Sequence, residues 1–177
     1  MFKKIIILVI ISLPSFGLSV AAQSVPLEEH KMLMMDEGVW RATMTLQQGP
    51  GQASEPIVGI ETNTMIGELW SVGKFEAVIE GAPYVGFATL GYDPAKGQYV
   101  GTWVDSSTSY ITEMQGSYDA VSSTLTLFYT TAGPGGQVEE RKNVMVYANR
   151  NTRDFDMFLK TNGEWVKSME ILYERLE

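Results

Sequence analysis

The sequence predicts an all-β protein, an antiparallel up-and-down barrel of about ten strands with a short N-terminal helix plugging one end. Three observations carry that expectation. Apolar residues alternate with polar ones: Trp40, Ala42, Met44 and Leu46 are apolar, with Arg41, Thr43, Thr45 and Gln47 between them, the pattern of a strand with one wet face. Tight-turn residues recur at short, regular spacing, as in Gly81-Ala82-Pro83, the five-residue stretch from Asp93 to Gly97, and Asn162-Gly163. No long helical period separates these runs.

Taken in order, the first element is a targeting segment. Lys3 and Lys4 precede an apolar run at residues 5–11, Pro14 follows, and Val20-Ala21-Ala22 offers small residues for cleavage. The chain therefore reads as a signal peptide over residues 1–22 and one barrel domain over residues 23–177, exported to the periplasm or secreted. The apolar run is short for a membrane span. The chain has no cysteine, so the fold rests on its core without disulfides and no lipid anchor is attached through a thiol.

Residues 26–37 read as a short helix: Pro26 suits a first turn, Glu28 and Glu29 complement its positive end, and Gly38 ends it. Strands are expected near 39–47, 57–66, 69–80, 84–92, 98–105, 110–118, 124–131, 137–148, 153–160 and 164–175. A meander of this size should close on itself, because closure removes two sticky edges.

An even strand count has a geometric consequence. The first strand begins where the last one ends, so Trp40 and Arg175 should be neighbours, the guanidinium lying over the indole. The short helix and its single histidine, His30, should sit across that closed end. Turns 66–68, 93–97, 119–123 and 149–152 fall there; segments 48–56, 81–83, 106–109, 132–136 and 161–163 fall at the opposite mouth. Glycine-rich loops around an open mouth are where a small barrel would admit a ligand.

The formal net charge of −8 disfavours nucleic acid and anionic membrane as partners. One histidine supplies neither a triad nor an imidazole-rich metal site, so no metal and no cofactor is expected. His30 is read as packing at the plug or bonding a turn. Met32, Met34 and Met35 are read as adaptable packing there. Asp93 and Asp119 end strands beside turns and are read as turn formers.

Tyr99, Gly101, Trp103 and Asp105 share one strand face, and that face is expected to point inward. Its rings would either wall a cavity, with Tyr84, or simply fill the core. Gly86, Gly91 and Gly101 would leave room for rings. Asp105, beside Ser106 at the mouth, would form a turn or touch a ligand. Arg141 would lie outward in a salt-bridged face, or inward with Asp105, Glu170 or an anionic ligand as partner. Candidate ligand-binding residues are thus Tyr84, Tyr99, Trp103, Asp105, Ser106 and Arg141; the closed end is assigned to Trp40, Arg175 and His30. No catalytic residue is assigned. Asp105, Glu113 and Glu170 are the carboxylates an enzyme would use, although period-two strands put most acids outside.

In sequence order, His30 with Gly38-Val39-Trp40, Leu90-Gly91-Tyr92-Asp93, Trp103-Val104-Asp105-Ser106, Gly116-Ser117-Tyr118-Asp119, Arg141, and the stretch from Glu170 to Arg175 resemble the bacterial family catalogued as domain of unknown function 1579. The resemblance implies a calycin-like barrel, related in shape to lipocalins, fatty-acid-binding proteins and nitrobindins, with no established activity. The chain departs from the family pattern at Ile66-Gly67-Glu68-Leu69-Trp70, where Gly-Gly-Arg is expected. A haem held as in nitrobindins would need a histidine late in the chain, and none is there.

These observations together favour a barrel that holds a small, largely apolar ligand in its lumen. The alternatives are an enzyme of isomerase or hydrolase type using lumen carboxylates, and a protein-interaction module, with a homodimer as one form.

Overall fold

The computed structural model describes residues 25–49 and 51–177. The leader read at residues 1–22 lies outside the described residues. A 3-10 helix, Glu28–Met35, leads into eleven strands: β1 Gly38–Gly49, β2 Gln52–Ala53, β3 Ile57–Ile66, β4 Trp70–Ile79, β5 Ala82–Asp93, β6 Gln98–Asp105, β7 Thr112–Asp119, β8 Thr124–Ala132, β9 Val138–Val146, β10 Thr152–Thr161 and β11 Glu164–Arg175. Each long strand pairs antiparallel with its neighbour in sequence, and β11 pairs with β1 to close a ten-strand barrel. The eleventh strand, β2, folds back on the end of β1 and was not foreseen; it lies in the long mouth loop between β1 and β3.

The closing register sets Trp40 opposite Arg175. The Arg175 guanidinium lies 4.0 Å from the Trp40 ring centroid, a contact worth about 0.5–2 kcal/mol depending on desolvation. Arg175 also donates to the carbonyls of Met35 at 2.8 Å and Arg150 at 2.7 Å, and to that of Glu37. One side chain thus ties the last strand, the β9–β10 turn and the helix end. Gly38 sits under it with φ of 125°; a Cβ there would overlap the Arg175 guanidinium, and that backbone conformation is glycine's own.

The expected helix is shorter and tighter than the sequence suggests. Its terminal bonds are of i→i+3 type, from His30 N–H to the Leu27 carbonyl and from Asp36 N–H to the Leu33 carbonyl, both 3.1 Å. Gly38 belongs to β1 rather than to the helix end. The helix still covers the closed end. Met32 and Leu33 are buried against Tyr99, Leu125, Leu127 and Tyr147. Met35 packs at the margin, whereas Met34 points to solvent. His30 accepts from the Leu27 N–H at 3.0 Å through Nδ1 and meets the Tyr92 ring edge-on at 5.8 Å between centroids. A second core, Trp40, Ala42, Met44, Phe75, Ile171 and Tyr173, lines the wall beside the seam.

Candidate functional site

Between these two cores and the mouth lies a cavity of about 470 Å³. Strand parity builds its wall. The inward residues of β10 and β11 are Arg153, Phe155, Met157, Met169, Ile171 and Tyr173, and those of β7 and β9 include Thr112, Met114, Arg141, Asn143 and Met145. Methionines recur on this wall, and their flexible thioethers adapt to varied apolar shapes.

The cavity has a charged floor that sequence reasoning missed. Arg153 is 1% exposed and forms ion pairs with both Asp36 and Glu61. Its guanidinium stands 4.5 Å from the Trp40 ring centroid and 4.2 Å from that of Tyr173. Tyr147 donates to Asp36 at 3.1 Å, Tyr173 to Glu61 at 2.9 Å, and the Asn63 amide to Glu61 at 2.7 Å. Trp40 donates its indole N–H to the Asp36 carbonyl at 2.8 Å. The buried charges are therefore paired, as burial requires, although among the described residues the Arg153 Nε is buried without a hydrogen-bond partner. Burial pushes the Asp36 carboxyl up, and Arg153 only partly offsets it. Burial likewise raises the Tyr147 and Tyr173 hydroxyls, with Asp36 and Glu61 respectively adding to the effect. The Arg153 guanidinium titrates above its ordinary range, because its two carboxylates outweigh its burial.

At the mouth, the aromatic face of β6 does point inward. Trp103 lines the cavity and donates its indole N–H to Asp105 at 2.9 Å. Asp105 is at once turn former and cavity wall: its other oxygen accepts from the backbone N–H groups of Ser107 and Thr108 at 2.8 and 3.0 Å and from the Ser107 hydroxyl at 2.6 Å. Burial pushes its carboxyl up, but these hydrogen bonds win and hold it below the ordinary range. Tyr84 stands beside the pair, its hydroxyl pushed up to about 12 by burial and then by Asp105. Gly86 makes room for Trp103, since a Cβ there would overlap the indole. Gly91 serves the Trp70 ring in the same way.

Of the six residues expected at a ligand site, Tyr84, Trp103, Asp105 and Arg141 line this cavity. Tyr99 does not. It faces inward at the closed end, where its hydroxyl donates to the Glu29 carbonyl at 2.7 Å and its ring packs on Tyr92 and Tyr118. Tyr99 lies four positions before Trp103, enough rise along a strand to carry it from the cavity into the plug. Ser106 sits at the rim, exchanging bonds with Val85: its N–H donates to the Val85 carbonyl at 2.9 Å and its hydroxyl accepts from the Val85 N–H at 3.2 Å.

Arg141 is inward, but neither Asp105 nor Glu170 is its partner. It pairs with Glu139 at 2.7 Å, donates to the Thr131 hydroxyl at 3.0 Å, and turns Nη1 toward the Met157 sulfur at 3.7 Å. Glu113 is exposed, and Glu170 lies outside, 3.5 Å from Lys167. Of the three carboxylates weighed for catalysis, only Asp105 reaches the lumen.

A closed antiparallel barrel, plugged by a helix at the end where its chain ends meet and hollow toward the mouth, defines a calycin-like barrel. The model of the family described as protein of unknown function (DUF1579) matches residues 25–175, and the chain belongs to that family. Among solved structures it is similar to an S-type phycobiliprotein lyase, CPES from Guillardia theta, at 14% identity and TM-score 0.55, covering 85% of this chain and 94% of that one. A redesigned β-barrel matches at 15% identity and TM-score 0.44, covering 82% and 96%. No curated protein sequence matches the chain.

Proposed function

We propose that this protein binds a small, largely apolar molecule in its lumen. One observation carries the reading: the cavity of about 470 Å³, whose size falls within the usual range of ligand pockets, about 300–1,000 Å³. Its walls are apolar for most of their area, with polar groups at a few fixed places. Phe75, Phe155, Met145, Met157 and Ile171 would contact the apolar body. Tyr84, Trp103, Asp105 and Arg141 would orient a polar end, with Ser106 fixing the rim. A lyase of similar fold supports a barrel that handles small molecules, and family membership adds no activity.

The leader-like residues 1–22 support export as part of the same reading, with cleavage after Ala22. The mass of the protein recovered from a periplasmic extract measures that cut directly.

The neutral fluorophore N-phenylnaphthylamine tests the lumen. Its emission should rise and shift to the blue on binding with one-to-one stoichiometry. Native mass spectrometry of freshly purified protein should show adducts lost on denaturation. A protein that leaves the fluorophore unchanged and carries no adduct does not hold apolar molecules, and the reading falls.

A further inference from the structure

The barrel wall has a weak place. The β7–β8 ladder runs from Asp119–Thr124 only to Gln115–Phe128. Both strands continue toward the mouth, β7 back to Thr112 and β8 on to Ala132. There β7 stays paired with β6, and β8 with β9. Extending the register would set Met114 opposite Tyr129 and Glu113 opposite Thr130, yet these residues do not pair. The two strands part company over three register positions, one more than β9 and β10, whose ladder also stops short of the mouth at Leu159–Arg141.

The parting is also where inside meets outside. A depression of about 660 Å³ on the outer surface is lined by the outward residues Glu113, Gln115, Phe128 and Thr130. Met114, Tyr129 and Arg141 line both that depression and the lumen. Among the described residues, Tyr129 and Met114 are bridged only through Asn143, which accepts from the tyrosine hydroxyl at 3.0 Å and offers its amide to the Met114 sulfur at 3.5 Å. That link is made of side chains, which rotate without unzipping a strand.

Arg141 adds the chemistry. Its Nε and Nη2 are matched by Thr131 and Glu139, but among the described residues Nη1 faces only the Met157 thioether at 3.7 Å, a weak acceptor. A guanidinium edge at the boundary of an apolar lumen and an outer groove suits the carboxylate, sulfonate or phosphate end of an amphiphile.

Resting on the lumen reading above, we propose that ligands enter sideways between β7 and β8, and that Arg141 holds the anionic end of the ligand in that gap. The apolar body lies among the lumen methionines while the anion stays at the wall.

Two probes with the same aromatic body separate the parts of this reading: N-phenylnaphthylamine, which is neutral, and anilinonaphthalene sulfonate, which is an anion. Arg141→Gln should weaken the sulfonate at least about tenfold more than it weakens the neutral probe, the scale of a hydrogen bond to a charged group, and be partly rescued by Arg141→Lys. The chain has no native cysteine, so Glu113→Cys with Thr130→Cys places a unique pair across the gap. Bridging them with a short bis-methanethiosulfonate reagent, which loses a sulfinate at each cysteine it joins, should slow neutral-probe entry in stopped flow by at least about tenfold at nearly unchanged affinity, since rates and affinities separate when only access changes. The unbridged double variant is the control, and melting temperatures establish that each variant is folded. A sulfonate affinity indifferent to Arg141, or an entry rate indifferent to the bridge, overturns the proposal while leaving the cavity reading intact. Failure of the neutral probe to bind the native protein overturns both.

Discussion

Replacing Arg153 by methionine removes a buried cation while keeping much of its volume. Asp36 and Glu61 then face each other across the floor with no counter-charge. Breaking a buried ion network by deleting one partner costs about 3–5 kcal/mol. The lost contacts to Trp40 and Tyr173 overlap with that figure, because the same guanidinium makes them, so about 4 kcal/mol is expected in all. For a domain of this size that lowers the melting temperature by about 8–16 °C.

The deficit has a predictable pH dependence. Asp36 already titrates above its ordinary 3.8, and Arg153 is the chief group holding it down. Without Arg153 its folded-state pKa rises further. A carboxyl with a raised folded pKa stabilises below its unfolded pKa and loses that contribution as pH rises. The deficit of Arg153→Met should therefore be largest at neutral pH and shrink toward about pH 4. The triple variant Arg153→Met, Asp36→Asn, Glu61→Gln should recover much of the loss, since no buried charge is stranded. Urea unfolding followed by tryptophan fluorescence measures all three. A single-variant cost under about 1 kcal/mol, or a triple variant no better than the single, would refute the reasoning.

Gly86→Ala should displace the Trp103 indole, because the added methyl occupies the ring's space; a shifted emission maximum and a cost of about 1–3 kcal/mol in unfolding are expected. Asp105 has a lowered folded pKa, so its contribution is present above its unfolded value of 3.8 and is lost as pH falls through the lower folded value. Asp105→Asn should accordingly lower the melting temperature at pH values above that window and have progressively less effect below it, as a differential scanning series would show. Tyr84 and Tyr129 ionise near 12, and the stability that their neutral forms provide should be intact below pH 10 and decline as pH climbs through 12. Alkaline absorbance titration of Tyr84→Phe against the parent identifies the first of them.

The architecture was legible because period-two alternation and turn residues are local signals. Strand parity then carries the reading from local to global, setting Trp40 beside Arg175, as the closing register does. The charged floor was not legible, since Asp36, Glu61 and Arg153 lie far apart in sequence and each resembles an ordinary surface residue. Strand β3 was actively misleading. Its apolar residues Val58 and Ile60 face solvent at 49% and 38% exposure, while Gly59, Glu61 and Asn63 face inward. An Arg sharing strand parity with Phe155 and Met157 was the one available signal. Tyr99 failed for a simpler reason: alternation tells which face a residue takes, but not how deep along the axis it sits.

The seam between β1 and β11 joins the first long strand to be synthesised with the last. Until β11 is in place, β1 carries an open row of amides and an indole lacking one of its two cations. A chain that has not yet docked β11 is therefore an unclosed sheet, vulnerable to pairing with its neighbours, and completion of the fold waits on the final strand.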